Sequence, residues 1–310
     1  MTLRQGRSPI KAGSAAVDFD ALATELTARF SEGVDSPWSD SDFGALASRV
    51  FEYQFAHNST YRLYSERRGA TPQTVRSWRE VPLVPADAFK HLDLVAGEAQ
   101  GVEAVFHTSG TGTEGVAPGR HFIPRLSLYR ASLLPPFKAH LLPDRERLRF
   151  ISLIPSPEEL PRSSLSHMVE VGAQAFAIEV HWVVDGTGLI DRERLEGAMR
   201  DCRRDGEAVL LLGTAFSFVH ALDQDALGAL PPGSRIMETG GFKGRSREVP
   251  SSELYQSLSS QTKVSRDRIV NEYGMTELLS QLYTPVLSEG AADGGAHVLP
   301  PWLRVRALDP

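Results

Sequence analysis

Residues 175–216 read AFAIEVHWVVDGTGLIDRERLEGAMRDCRRDGEAVLLLGTAF, and this stretch decides the fold. Its two ends, AFAIEVHWVV and AVLLLGTAF, are apolar runs of strand length. Between them, DRERLEGAMRDCRRDG puts Leu195, Met199 and Cys202 on one helical stripe with charge on the remaining surface. Gly206 stands where a helix C-cap belongs. Strand, helix and strand in that order predict a βαβ unit and parallel pairing. Upstream, VEAVFHTSG and LRFISLIPSP repeat the short apolar run ended by Gly, Ser, Thr or Pro. The expected fold class is α/β, a mainly parallel sheet flanked by helices. Near the end LRVRAL alternates like one more strand, and LSEGAADGGAH (287–297) reads as a surface loop.

The first part of the chain has a different rhythm. Phe19, Leu22, Leu26 and Phe30 recur at spacings of three and four, and Phe43, Leu46, Val50, Phe51 and Phe55 do the same. Gly33 and Pro37 separate the two sets. The organisation expected is a disordered tail (1–16), a helical N-terminal subregion (17–80) and an α/β nucleotide- and acyl-binding region of the same large domain (81–310).

Composition removes several function classes. Lys and Arg total 33 against 39 Asp and Glu, a net charge of −6, which argues against nucleic-acid binding by a strongly basic domain. A single cysteine, Cys202, excludes an internal disulfide framework and a Cys-rich zinc module, and it fits a reducing compartment. No run approaches the roughly 18 uninterrupted apolar residues of a membrane helix. The opening MTLRQGRSPIKAGSAA lacks the apolar region of a signal peptide, so a cytoplasmic location is expected.

Two segments carry chemistry. HTSGTGTEGVAPGRH (107–121) offers the hydroxyls of Thr108, Ser109, Thr111 and Thr113 among Gly110, Gly112 and Gly115, the means to approach and hydrogen-bond a phosphate. A G-x-G-x-x-G is hidden there, but Pro118 and Gly119 break the helix that a dinucleotide fingerprint should open. No G-K-[ST] follows, which excludes a Walker loop. The plain alternative is a solvated turn of small residues. NEYGMTELLSQ (271–281) reads as a strand end, a turn at Gly274 and a helix from Thr276. It would place Tyr273 for stacking on a base, Thr276 for a phosphate and Glu277 as a hard oxygen ligand for Mg²⁺. Alternatively, Glu277 is a first-turn carboxylate matched to a helix dipole.

Together the segments resemble the adenylate-forming superfamily of acyl-CoA synthetases, peptide-synthetase adenylation domains and firefly-type luciferases. VPADAFK (84–90), SLIPSPEELPRSSLSHM (152–168), LLLGTAFSFVHALD (210–223), METGGFKGRSRE (237–248) and LPPWLRVRALDP (299–310) are similar to its acyl-protein synthetase branch, the fatty-acid ligase of bacterial bioluminescence. The resemblance covers residues 17–310. It implies the superfamily's large domain, ATP and Mg²⁺ as cofactors, and a carboxylic acid, a fatty acid in this branch, activated as acyl-AMP. The acyl acceptor it implies is a protein thiol, coenzyme A or a carrier arm.

Residue by residue, the resemblance makes Thr108, Ser109, Gly110, Thr111, Gly112 and Thr113 the phosphate loop. Gly240, Gly241 and Phe242 border the adenine, with Tyr273 and Gly274 beside them. Thr276 touches the acyl-phosphate, Glu277 holds the metal, and His167 lies beside the acyl carboxylate or is an ordinary polar partner in a loop. The residues of TAFSFV read first as core packing and second as an acyl-pocket wall. The superfamily's loop lysine has no counterpart before Lys138, which leaves Arg120 to supply the charge. Cys202 does not match the branch's acyl-accepting cysteine and reads as core. The ribose-binding aspartate, the hinge and the small C-terminal domain with its lysine find no match, so a large domain without the small one is expected. The alternative function is a catalytically incomplete nucleotide- or acyl-binding subunit serving a partner enzyme. No G-x-S-x-G, H-E-x-x-H or C-x-x-C supports a hydrolase, zinc-protease or redox reading.

Overall fold

A computed structural model of the chain describes residues 17–108, 118–240, 249–289 and 296–307. Helix α1 (Phe19–Ser31) begins where the Asp18 carboxylate accepts the Ala21 amide, filling a donor that the first helical turn leaves open. Ser39 does the same for α2 (Asp40–His57). Asn58 ends α2 in an extended conformation, and its side chain accepts the Tyr61 amide to start α3 (Ser59–Glu66). Trp38, Leu46 and Trp302 form a small core with Leu26, Phe30 and Phe43, which ties the late segment to these helices.

After the short α4 (Ala88–His91), strands β1 (Ala104–His107) and β2 (Arg120–Ile123) pair antiparallel as a hairpin, His107 opposite Arg120. Helix α5 (Leu126–Leu141) follows and packs along α1. The chain then alternates β3 (Leu148–Ser152), α6 (Ser164–Phe176), β4 (Ala177–Trp182), α7 (Arg192–Asp205), β5 (Val209–Thr214), α8 (Ala215–Asp223), β6 (Arg235–Thr239), α9 (Ser251–Thr262) and β7 (Ile269–Gly274). Strand β8 (Gln281–Tyr283) and a turn of helix, α10 (Val286–Glu289), come after them.

Among the described residues the main sheet runs β4-β3-β5-β6-β7-β8, parallel except for β8. Strand alternation assigns the faces. Val209 and Leu211 point to the core built with α7, α8 and α9, whereas Leu210 and Leu212 point to α5 and α6. All four are fully buried, as expected of a parallel strand covered on both sides. Leu195, Met199 and Cys202 line the buried stripe of α7, and Gly206 caps it at φ +70°. Phe218 is fully buried in the same core, so TAFSFV supplies packing.

Residues 303–307 depart from the expected strand. Arg304 lies over the Phe43 ring, 4.5 Å from its centroid, and donates to the Trp38 carbonyl at 3.0 Å. The segment is therefore fastened to the N-terminal helices and not to a sheet edge, and Val305 is 70% exposed. The first residues of the stretch expected to be a loop, 287–289, belong to α10.

Candidate functional site

The carboxyl ends of β6 and β7 lie side by side, Thr239 opposite Glu272. Just beyond them Gly240 takes φ +74° with nothing within 4 Å of where a Cβ would stand, so its backbone conformation is what favours glycine. Gly274 is the reverse case. A Cβ there would stand 2.5 Å from Glu272 Oε1, so a side chain would displace the carboxylate.

A helix starting at Thr276 does not form. Gly274 pairs with Gln281, so residues 275–280 must reverse the chain, and they do so with one turn closed by Leu278 N–H to Met275 O at 3.0 Å. Leu279 completes the reversal at φ +49°. Glu277 is therefore not a helix first-turn carboxylate. Among the described residues it forms no ion pair, which leaves a half-buried hard oxygen donor suited to Mg²⁺.

Thr276 is held from across the fold. Its hydroxyl lies 2.9 Å from that of Ser164 in the first turn of α6. Two residues earlier, the Arg162 carbonyl accepts the His107 amide at 2.8 Å, and Arg162 Nη1 stands 3.2 Å from His107 Nε2. Thr108, next in the chain, closes the mouth of the hairpin loop: its amide donates to Gly119 O and its hydroxyl accepts the Gly119 amide, both at 2.9 Å. The start of α6 thus joins the two sequence segments at one edge of the sheet, where open α/β folds place ligands.

Tyr273 is half exposed, with its ring edge-on to His297 at 6.0 Å between centroids. His297 Nε2 is 2.7 Å from Asn271 Oδ1, while the Asn271 amide donates to the Glu238 carboxylate. Tyr255 also donates to Glu238, at 2.9 Å. Burial raises the Glu238 pKa against these donors and lowers that of His297, keeping the imidazole neutral. On the opposite face of the same strands Glu272 accepts from the Thr239 hydroxyl. Full burial, helped by Glu238, pushes the Glu272 pKa up to about 7.

His167 sits one turn into α6 between Phe106 and Tyr129, with ring centroids 5.3 and 5.8 Å away. Burial, aided by Arg130, lowers its pKa, and its buried Nε2 has no partner among the described residues. Arg120 pairs with Asp93 at 2.6 Å and lines a cavity of about 380 Å³ with Lys90, His91, His107 and Arg162. The structure thus brings Thr108, Thr276, Glu277, Tyr273, Gly274 and Gly240 to the carboxyl edge, His167 behind them and Arg120 to the hairpin's side. Ser109, Gly110, Thr111, Gly112, Thr113, Gly241 and Phe242 lie outside the described residues.

Ser164, Arg162, Thr239, Glu272, Asn271 and His297 were not singled out by sequence. For Glu238 and Glu272 a signal existed: each is an acid inside an apolar strand run, RIMETGG and IVNEYG. A charge there needs a reason, because an unpaired buried carboxylate is costly.

No protein-family model matches the sequence, and no curated protein matches it. Among solved structures, two adenylation domains of a keto acid-selecting NRPS module bound to keto acyl adenylate are similar to part of the chain. One is 13% identical over 58% of this chain and 30% of its own, with a TM-score of 0.35. The other is 12% identical over 68% of this chain and 34% of its own, with a TM-score of 0.36. The chain spans about a third of the length of each.

Proposed function

We propose that the chain binds ATP with Mg²⁺ and activates a carboxylic acid as its acyl-AMP, for transfer to a thiol or protein acceptor. The observation that carries this reading is the Ser164–Thr276 contact together with the His107–Arg162 contact. They join the mouth of the hairpin at His107 and Thr108 to the α6 N-terminus and the Y-G-M-T-E turn. Hydroxyls, N-terminal helix amides and a guanidinium are the donor set a triphosphate needs. Glu277 fits a hard divalent cation, and the half-exposed Tyr273 ring, just past the Thr239–Glu272 pair, fits a purine face.

Catalysis in this reading is positioning and charge neutralisation. Thr276 and Ser164 orient the reacting phosphate, Tyr273 fixes the base, and Arg162 offsets charge on the phosphate side. Glu277 would hold Mg²⁺, which would supply Lewis-acid charge neutralisation to the triphosphate. His167, neutral and packed against Tyr129, borders the acid and is not an exposed general base.

Incubation of the protein with ATP, Mg²⁺ and pooled carboxylic acids, followed by mass spectrometry, tests the reading. An acid-dependent acyl-AMP supports it. Saturable nucleotide binding without any acyl-AMP would support the binding-subunit alternative instead.

A further inference from the structure

The cavity of about 380 Å³ beside the β1–β2 hairpin has a cationic wall. His107 stands opposite Arg120 in the hairpin register, so their side chains share one face. Phe106, the neighbour of His107, points to the other face, where it packs against Tyr129 and His167. Lys90 and His91 from α4 and Arg162 from the turn before α6 complete the basic lining. Phe89, Leu92 and Pro118 supply an apolar part. Among the described residues the lining includes none of Gly240, Tyr273, Thr276 and Glu277.

Five basic side chains face this space against one carboxylate, Asp93. Asp93 pairs with Arg120 at 2.6 Å, and Asp87, outside the lining, pairs with Lys90 at 2.7 Å. Arg162 has no carboxylate partner among the described residues. Its Nη1 stands 3.2 Å from His107 Nε2, and a guanidinium only donates, so that ring nitrogen accepts. Burial, then the charges of Arg162 and Arg120, lower the His107 pKa and keep the imidazole neutral. The wall is also closely fitted. A Cβ on Gly119 would stand 2.7 Å from Phe89 O, so glycine lets the α4 backbone close on the hairpin. The Phe89 ring lies against His121, with centroids 5.1 Å apart.

We propose that this cavity binds a small organic phosphate monoester as a ligand separate from the nucleotide, its phosphate among Arg162, Arg120 and Lys90 and its organic part against Phe89, Leu92 and Pro118. Three permanent cations suit a dianion better than a single carboxylate, and a guanidinium can meet two phosphate oxygens at once. The volume falls in the range of small-molecule sites, about 300–1,000 Å³. A bare phosphate would leave the apolar part uncovered. Arg162 alone belongs both to this lining and to the phosphate side of the adenylating edge, so the two ligands meet through one side chain. Binding here needs neither ATP nor a carboxylic acid.

The test is calorimetric titration of the full chain, without ATP or acid, with phenyl phosphate and inorganic phosphate as probes. At about pH 7.5 both are largely dianions. Phenyl phosphate should bind ~10-fold or more tightly than inorganic phosphate, because its ring buries apolar surface. Replacing Lys90→Gln and Arg120→Gln together should raise its Kd ~10-fold or more, the effect of losing charge-assisted contacts. The His107 pKa, read by NMR, should rise by about one pH unit on saturation, because an anion opposes the lowering by Arg162 and Arg120. Saturating ATP with Mg²⁺ should weaken phenyl phosphate only a few-fold. Equal affinity for the two probes, an unmoved His107 titration or an unchanged Kd in the double variant would overturn the inference. Mutual exclusion with ATP would overturn it too, by assigning the cavity to the triphosphate. Phenyl phosphate binding in a protein that adenylates no acid would support this site and overturn the adenylating reading alone. Should the double variant not fold, Lys90→Gln and the His107 titration decide.

Discussion

The hydroxyls of Ser164 and Thr276 lie 2.9 Å apart and join the first turn of α6 to the turn after β7. Neither residue comes from the hairpin, yet the backbone contact between Arg162 and His107 places all three segments together. Removing one hydroxyl should cost the typical net value of a hydrogen bond, about 1 kcal/mol, or several-fold in adenylation rate. Ser164→Ala and Thr276→Val should therefore each lower the rate, and the double variant should fall short of the sum of the two losses. Strict additivity in that cycle would show that the two hydroxyls act independently.

Glu277→Gln keeps size and removes one charge at a partly exposed position that has no ion pair among the described residues. Stability should change by less than ~1 kcal/mol, while ATP binding should lose most of its dependence on Mg²⁺. Titration of the variant with ATP at several Mg²⁺ concentrations checks this. An unaltered metal dependence would remove Glu277 from the site.

Tyr273 offers a half-exposed ring, so Tyr273→Ala should weaken nucleotide binding by roughly 1–3 kcal/mol, the range for base stacking on aromatics. Tyr273→Phe retains the face and should change little. A large loss with Phe would assign the role to the hydroxyl.

Glu272 gives the fold a pH dependence of definite sign. Its folded pKa, about 7, lies above the ordinary value of 4.5 because burial disfavours the charged form. Between those values the folded state holds the proton more tightly, so this contribution to stability is complete below pH 4.5 and lost as pH rises through about 7. The loss is on the order of 3 kcal/mol. Glu272→Gln should flatten that part of the stability profile and raise the denaturation midpoint at pH 8 relative to wild type. Parallel profiles for the two proteins between pH 5 and 8 would contradict the burial of an uncompensated carboxyl.

Gly274→Ala tests the crowding at the same point. The new Cβ would stand 2.5 Å from Glu272 Oε1, so the carboxyl must leave Thr239 or the turn must shift. Such overpacking should cost about 1–3 kcal/mol, read as a lowered denaturant midpoint. An unchanged midpoint would show that the carboxyl moves freely.

Local patterns made some of this architecture legible. The stripe of Leu195, Met199 and Cys202, the cap at Gly206 and the apolar run of β5 depend on neighbours in sequence, and the structure has them as expected. The break at Asn58 was hidden because apolar spacing continues through it, while its extended backbone comes from capping α3. The helix expected from Thr276 gave way to a turn because antiparallel β8 requires a reversal there, a demand set by a pairing that local pattern does not reveal. Tyr273, Thr276 and Glu277 were visible because they sit in one short motif. Ser164 and Arg162 were not singled out, since their importance comes from a contact across the fold. The chemistry of Glu272 was hidden for another reason: the sequence shows an acid in a strand but not the full burial that changes its titration.

The most direct test of the central claim, that the hairpin, the start of α6 and the Thr276 turn form one adenylating site, is ATP–pyrophosphate exchange by the wild-type chain. The assay should include Mg²⁺ and a panel of carboxylic acids, with Thr276→Val and Glu277→Gln assayed beside it. Exchange should require both acid and Mg²⁺ and should fall in each variant while the proteins stay folded. Exchange that is absent with every acid, or equally strong in both variants, would contradict it.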